Sequence, residues 1–213
     1  MSSLKKKISR NYIVFDTETS GLPRRLLNSP KKFKCWPFIV QIAWIVLDEK
    51  DNILKQRKYI VKPPSTHVIS PESTKIHKIT NKIAQKGKDI KHVLNVFQKD
   101  VEKATFLVAH NAEFDSRVVA SSCHRISIPD FLKGKKIYCT MKSTTTLCKI
   151  PFPNGKKFKY PKLEELYIHL FRHSPKGKLH DAYQDSLFTS HCFIKLRRMH
   201  KQLPWIKCYT RNY

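Results

Sequence analysis

"NYIVFDTETSGLP", residues 11–23, is the stretch on which the fold reading turns. Its first half, Tyr12 to Phe15, is an apolar run rich in β-branched and aromatic residues, as a buried strand requires. It turns acidic at Asp16 and Glu18, at the end of the apolar run. Residues at i and i+2 of a strand face the same side, so the two carboxylates sit together. Close carboxylates repel each other, and a hard divalent cation between them resolves the conflict.

Outward from this strand, Ile39 to Leu47 and Ile53 to Val61 read as two more strands, joined into a hairpin by the turn residues Asp48 to Asn52. Val93, Val96, Phe97, Val101 and Ala104 recur at helical spacing. Phe106 to Ala109 then reads as a short buried strand, followed by a helix from about Ala112 to His124. Ile137 to Cys139 reads as a further strand. Pro161 opens a helix with the apolar face Leu163, Leu166, Tyr167, Leu170 and Phe171, and the last helix runs from about Ala182 to His200. Strands first, then alternating helix and strand, predict an α/β domain with a mixed central sheet flanked by helices. Pro23 to Pro37, Pro63 to Pro71, Phe152 to Tyr160 and the tail after Gln202 read as loops or extensions.

The whole chain has 213 residues, with 42 basic against 16 acidic side chains and a formal charge of +26. Its length suits one domain: a basic extension over 1–10, the domain over 11–200 and a basic, aromatic tail over 201–213. Such a charge attracts polyanions, nucleic acid first and anionic membrane second. Lysine supplies 32 of the 42 cations, which favours diffuse phosphate contacts, although an AT-rich genome gives the same bias. Three predicted loops set basic residues beside flat rings: Arg24 to Lys34, Lys156 to Tyr160, and Trp205 to Arg211. That composition suits single-stranded nucleic acid, and equally a solvated loop with anchoring aromatics. Met1 to Arg10 carries no signal-peptide core and no apolar run spans a bilayer, so an intracellular, membrane-free protein is expected. Six cysteines without a CxxC pair read as free thiols. Zinc at Cys123, His124, His191 and Cys192 is disfavoured because adjacent residues chelate poorly.

Two more segments place acids at element ends. "LVAHNAEFDSRVV", residues 107–119, offers His110, Asn111 and Asp115 where a strand gives way to a helix, and "KLHDAYQDS", residues 178–186, offers His180 and Asp185 at the start of the last helix. Taken in order, "FDTETSGL", "HNAEFD" and "HDAYQD" resemble the three motifs of the DnaQ-like 3′-to-5′ exonucleases. They match the DEDDh branch, which includes the polymerase III epsilon proofreading subunit, RNase T and the TREX enzymes. "IVQIAW", "IHKIT" and "CTMK" ahead of "KLEELYIHLF" extend the resemblance over about residues 11–196. His180 lies five residues before Asp185, as in the histidine branch. The tyrosine branch requires tyrosine where Asp181 stands, so Tyr183 is assigned to packing.

The resemblance implies an RNase H-like exonuclease fold in which Asp16, Glu18 and Asp185 bind two Mg²⁺ or Mn²⁺ ions, with Asp115 completing the site directly or through water. It implies that His180 takes the proton from the attacking water, and that a 5′-monophosphate leaves. Thr19 and Leu22 match positions that touch the terminal nucleotide, Leu22 as a wedge, and His77 and Asn111 match substrate-side or supporting positions. For Leu22 and His77, ordinary packing is the rival. Lys78 and Ser186 depart from the glycine and alanine common in relatives, and neither belongs to the acid quartet. Single-stranded DNA is the favoured substrate because "DTETSGL" and "HNAEFD" look nearest the proofreading type. The alternatives are an RNase T-like exoribonuclease, an inactive nuclease-like binding module and an endonuclease on a related fold. Several relatives are dimers, so a homodimer is compatible with the resemblance.

Overall fold

A computed structural model of the chain describes residues 11–23, 33–155, 157–199 and 208–210. The 1–10 extension, Arg24 to Lys32 of the basic loop, Lys156, and the tail apart from 208–210 lie outside the described residues. In chain order the elements are β1 (Asn11–Thr19), β2 (Ile39–Leu47), β3 (Ile53–Ile60), α1 (Pro71–His77), α2 (Asn81–Ala84), α3 (Ile90–Lys103), β4 (Ala104–Ala109) and α4 (Ala112–Arg125). They continue with β5 (Lys136–Cys139), α5 (Thr140–Ser143), α6 (Thr145–Cys148), α7 (Leu163–Phe171), α8 (Ala182–Met199) and β6 (Cys208–Thr210).

The strands form one mixed sheet in the order β3-β2-β1-β4-β5-β6. β1 runs antiparallel to β2 and parallel to β4, and β2 pairs antiparallel with β3 as the expected hairpin. Alternation along β1 divides the core into two layers. Ile13 and Phe15 pack with Trp44, Phe97, Val101, Val118 and Val119 on the α3–α4 side. Tyr12 and Val14 pack with Ile45, Leu166, Phe188 and Phe193 on the α7–α8 side. All nine residues of β2 are buried, because both faces of this strand are covered.

The sequence reading and the structure differ where elements are short. α1, α2, α5 and α6 span seven residues or fewer, too few for a helical period to register. α1 instead carries capping signals: Pro71 opens it, and Ser70 Oγ accepts from the Ser73 N–H at 3.1 Å. Residues 208–210, read as part of a loose tail, pair antiparallel with β5 as the edge strand. The partner strand supplies that order, and three residues carry no pattern of their own.

The position of the site follows from strand register. Pairing between β1 and β4 stops at Val14 opposite Val108, while pairing between β1 and β2 continues to Thr19 opposite Ile39. The last turn-ward residues of β1 therefore have one unpaired edge, and a crevice opens at the carboxyl ends of two parallel strands, where α/β sheets bind ligands. Asp16 and Glu18 continue the α7–α8 face of β1, and Thr17 continues the α3–α4 face.

Candidate active site

Glu18, His180 and Asp185 each place one potential ligand atom within 4.8 Å of the others. Glu18 comes from β1 and Asp185 from the first turn of α8, and His180 ends the loop before that helix. His180 adopts a left-handed backbone at φ 63°, uncommon for a residue with a side chain. In that conformation its backbone N–H donates to Asp185 Oδ2 at 3.0 Å. The loop is held close to α8 at Gly177, where φ is 156° and a Cβ would approach Phe188 and the Gln184 side chain to 2.9 Å.

Asp185 Oδ1 is buried and has no hydrogen-bond partner among the described residues. Two well-covered acids away from the site, Asp100 and Asp51, are satisfied. Asp100 accepts from Trp44 Nε1 at 2.9 Å and Lys55 Nζ at 2.5 Å, and Asp51 accepts from the Tyr12 hydroxyl and from Arg197. A buried carboxylate oxygen without a donor is costly, and a cation would supply the missing partner. Oxygen donors from Glu18 and Asp185 suit a hard divalent ion such as Mg²⁺ or Mn²⁺, so the residues present fit the cofactor that the acid spacing called for.

The electrostatics agree. Burial first, then Asp115, Asp185 and Glu18, push Asp16 well above the ordinary carboxylate range. Burial first, then Asp185, Asp115 and Asp181, push Glu18 up to about 8. Burial also raises Asp115 to about 7 against two hydrogen bonds from Thr17, and Asp185 to about 7 against the His180 N–H. Four carboxylates that resist ionising together form a site poised to exchange protons for cations.

Asp115 reaches the crevice from α4, on the opposite side of the sheet from α8. Its Oδ1 accepts from the Thr17 N–H at 3.0 Å and the Thr17 Oγ1 hydroxyl at 2.7 Å. The strand's unpaired edge supplies the first of these bonds. Asp16 lies within electrostatic reach of Asp115, Asp185 and Glu18 together.

Of the four residues expected on the substrate side, Thr19, Leu22 and His77 lie around the end of β1. Thr19 is buried, and its hydroxyl donates to the Gly21 carbonyl at 2.8 Å. Leu22 is 82% exposed and borders a cleft of about 580 Å³ that Trp36, Phe38, His67, Val68 and Ile76 also line. His77 is buried with both ring nitrogens engaged: Nε2 donates to the Thr19 carbonyl at 3.2 Å, and Nδ1 accepts from the Ile79 N–H at 3.0 Å. Asn111 caps α4 from a left-handed backbone at φ 67° without a capping side-chain bond.

Sequence reading missed an anchor behind His180. Asp181 caps α8 through bonds from the Tyr183 and Gln184 N–H groups, accepts from Lys58 Nζ at 2.5 Å, and accepts from Gln41 Nε2 at 3.4 Å. Gln41 Oε1 in turn accepts from the Ala182 N–H at 2.6 Å. A lone amide inside the apolar run of β2 was the available signal, since a buried polar side chain needs partners. Tyr183 donates its hydroxyl to Gln56 on β3, away from the acids, in keeping with a packing role. Cys123 and Cys192 are free and lie in opposite layers, which separates the residues of the disfavoured zinc set. Among the described residues no helix is long and apolar enough to cross a membrane.

Residues 13–193 match the family model described as Exonuclease, RNase_T. Over 118 residues, 55% of the chain, the sequence is 35% identical to the PolC-type DNA polymerase III of Streptococcus pyogenes. The chain spans only 7% of that relative's length. Exonuclease I of E. coli, solved with a dT13 oligonucleotide, superposes on 90% of this chain and 42% of its own with a TM-score of 0.70 at 18% identity, a likeness of fold. Exonuclease X, solved with 5′ overhanging duplex DNA, superposes on 90% of this chain and 94% of its own with a TM-score of 0.60 at 25% identity.

Proposed function

The chain belongs to the RNase_T family of DnaQ-like 3′-to-5′ exonucleases, and from that premise we propose that it is a divalent-metal-dependent hydrolase that trims single-stranded DNA from its 3′ end. The observation that carries the metal reading is the clustering of Glu18, His180 and Asp185, together with a buried Asp185 oxygen, Oδ1, that has no partner among the described residues. Glu18, Asp185 and Asp16 would hold Mg²⁺ or Mn²⁺, with Asp115 supporting them. Bound ions of this kind stabilise charge on the attacking and leaving oxygens of an in-line phosphoryl displacement.

The protein's own groups then have distinct tasks. His180 is exposed at the mouth of the acid cluster, where its imidazole takes the proton of the attacking water. Its backbone N–H holds Asp185 in place at the same time. Thr17 holds Asp115 through two bonds. His77, fully occupied by backbone groups, acts by fixing the Thr19 carbonyl and so the corner on which Leu22 stands. Leu22 and the adjoining cleft receive the terminal nucleotide, and Asn111, the cap of the helix that carries Asp115, supports the site from α4. The terminal nucleotide leaves as a 5′-monophosphate.

Support for DNA comes from the PolC-type relative and from Exonuclease X with its duplex DNA. The test is degradation of matched 5′-end-labelled DNA and RNA single strands with Mg²⁺, Mn²⁺ or chelator. The expected result is progressive shortening from the 3′ end, faster on DNA and absent with chelator. Cleavage of a circular single strand would instead identify an endonuclease.

A further inference from the structure

Of the three basic and aromatic clusters in the sequence, the one around residues 150–160 lies almost wholly among the described residues, and it is built rather than loose. Pro151 and Phe158 form an antiparallel bridge. The Lys159 N–H donates to the Ile150 carbonyl at 2.8 Å, and the Phe152 N–H to the Lys157 carbonyl at 2.9 Å. The tip Phe152-Pro153-Asn154-Gly155 closes with a 2.8 Å bond from the Gly155 N–H to the Phe152 carbonyl, with Gly155 at φ 68°, a turn suited to proline second and glycine fourth.

This β-ribbon shields none of its rings well: Phe152 and Phe158 are each 44% exposed and Tyr160 is 55% exposed. Phe158 and Tyr160, at i and i+2 of an extended segment, face one side. Lys149 and Lys157 are exposed and form no ion pair among the described residues, whereas Lys159 is paired with Glu165. An excess of cations beside exposed flat rings complements a polyanion whose bases stack.

The base of the ribbon is fixed beside the active site. His110 Nε2 donates to the Pro161 carbonyl at 3.1 Å, and His110 Nδ1 bonds Thr140 Oγ1 at 2.9 Å. His110 immediately precedes Asn111, the cap of the helix whose first turn carries Asp115. Burial lowers the His110 pKa to about 4, so the ring that makes this link is neutral at neutral pH. Lys142, which bonds Glu113 in that same helical turn at 2.7 Å, also lies close enough to Tyr160 to feel its hydroxyl.

We propose that the 150–160 ribbon is a second nucleic-acid contact, in which Phe152, Phe158 and Tyr160 stack on bases of the single strand upstream of the cleaved end while Lys149 and Lys157 neutralise its phosphates. The assignment rests on the exonuclease reading and adds to it a surface that holds the strand while its end is trimmed. The experiment compares wild type with the variants Phe158→Ala/Tyr160→Ala and Lys149→Gln/Lys157→Gln, after circular dichroism has verified the fold. Binding of a labelled 20-nucleotide single strand is read by anisotropy in Ca²⁺ or chelator, independently of cleavage. Loss of the two rings should weaken binding at least about tenfold with little change in salt dependence. Loss of the two lysines should reduce the slope of log affinity against log salt by about 1.4, from about 0.7 per phosphate on single strands. With active enzyme, the preference in kcat/KM for a 20-mer over a dinucleotide should fall at least about tenfold in the ring variant. Wild-type affinity, salt slope and length preference in both variants would overturn the proposal. If the wild type bound without cleaving, the exonuclease reading would fail while the anisotropy still decided the ribbon's role.

Discussion

Thr17 and Asp115 meet through two hydrogen bonds to one oxygen, the backbone N–H at 3.0 Å and the side-chain hydroxyl at 2.7 Å. Thr17 lies between Asp16 and Glu18 but points to the other face of the sheet, so the strand that presents two acids on one side orients a third from the other. Thr17→Val keeps the backbone bond and removes the hydroxyl. A bond to a charged group contributes about 1.5–3 kcal/mol, so kcat/KM should fall by about tenfold or more. Asp115, already raised by burial, should rise further, moving the acidic limb of the pH–rate profile upward. An unchanged profile would mean that the hydroxyl does not govern Asp115.

The raised carboxylates tie stability to pH. Glu18 at about 8, and Asp115 and Asp185 at about 7, keep their protons in the folded, metal-free protein to higher pH than in the unfolded chain. The folded state therefore binds more protons between about pH 4 and 8, and stability falls as pH rises through that window. In chelator, Tm should drop from pH 5 to pH 8.5. Mn²⁺ should restore it, by more at pH 8.5 than at pH 5. Asp185→Asn should flatten the chelator curve and weaken the Mn²⁺ response. A wild-type Tm that is flat over this range in chelator would contradict the clustering.

His180 offers a cleaner separation of roles. If its ring moves the proton, His180→Ala should lower kcat by roughly 10²- to 10⁴-fold while the Mn²⁺ concentration needed for half-maximal Tm shift changes little. A large loss of Mn²⁺ affinity with a modest loss of rate would make the imidazole a ligand instead.

Gln41 is separated from Ala182 by 141 positions and bonds it at 2.6 Å. Gln41→Leu would leave that buried N–H without its acceptor, at about 1–3 kcal/mol, and would loosen the segment bearing His180. Lower Tm together with lower kcat at unchanged KM is the expected pattern. A loss of stability alone would limit the residue to folding.

These residues also show what the linear sequence could reveal. Asp16 with Glu18, and His180 with Asp185, are legible because each pair is set by local periodicity on a strand or at a helix start. The long elements β2, α3 and α4 are legible from burial patterns spread over nine or more residues. Thr17 with Asp115, and Gln41 with Asp181 and Lys58, are not legible, because each bond joins segments that only the fold brings together. His77 stands between these cases: its position was visible, but its engagement with two backbone groups needed the packing of α1 against the corner after β1.

If the proposed function is right, Glu18 and Asp185, with Asp16 beside them, enclose divalent cations. Anomalous diffraction from a crystal soaked in Mn²⁺ tests it most directly. A peak bonded to the unpartnered Asp185 Oδ1 and to Glu18 is expected, lost in Asp185→Asn crystals. Fully ordered carboxylates with no anomalous density between them would contradict it.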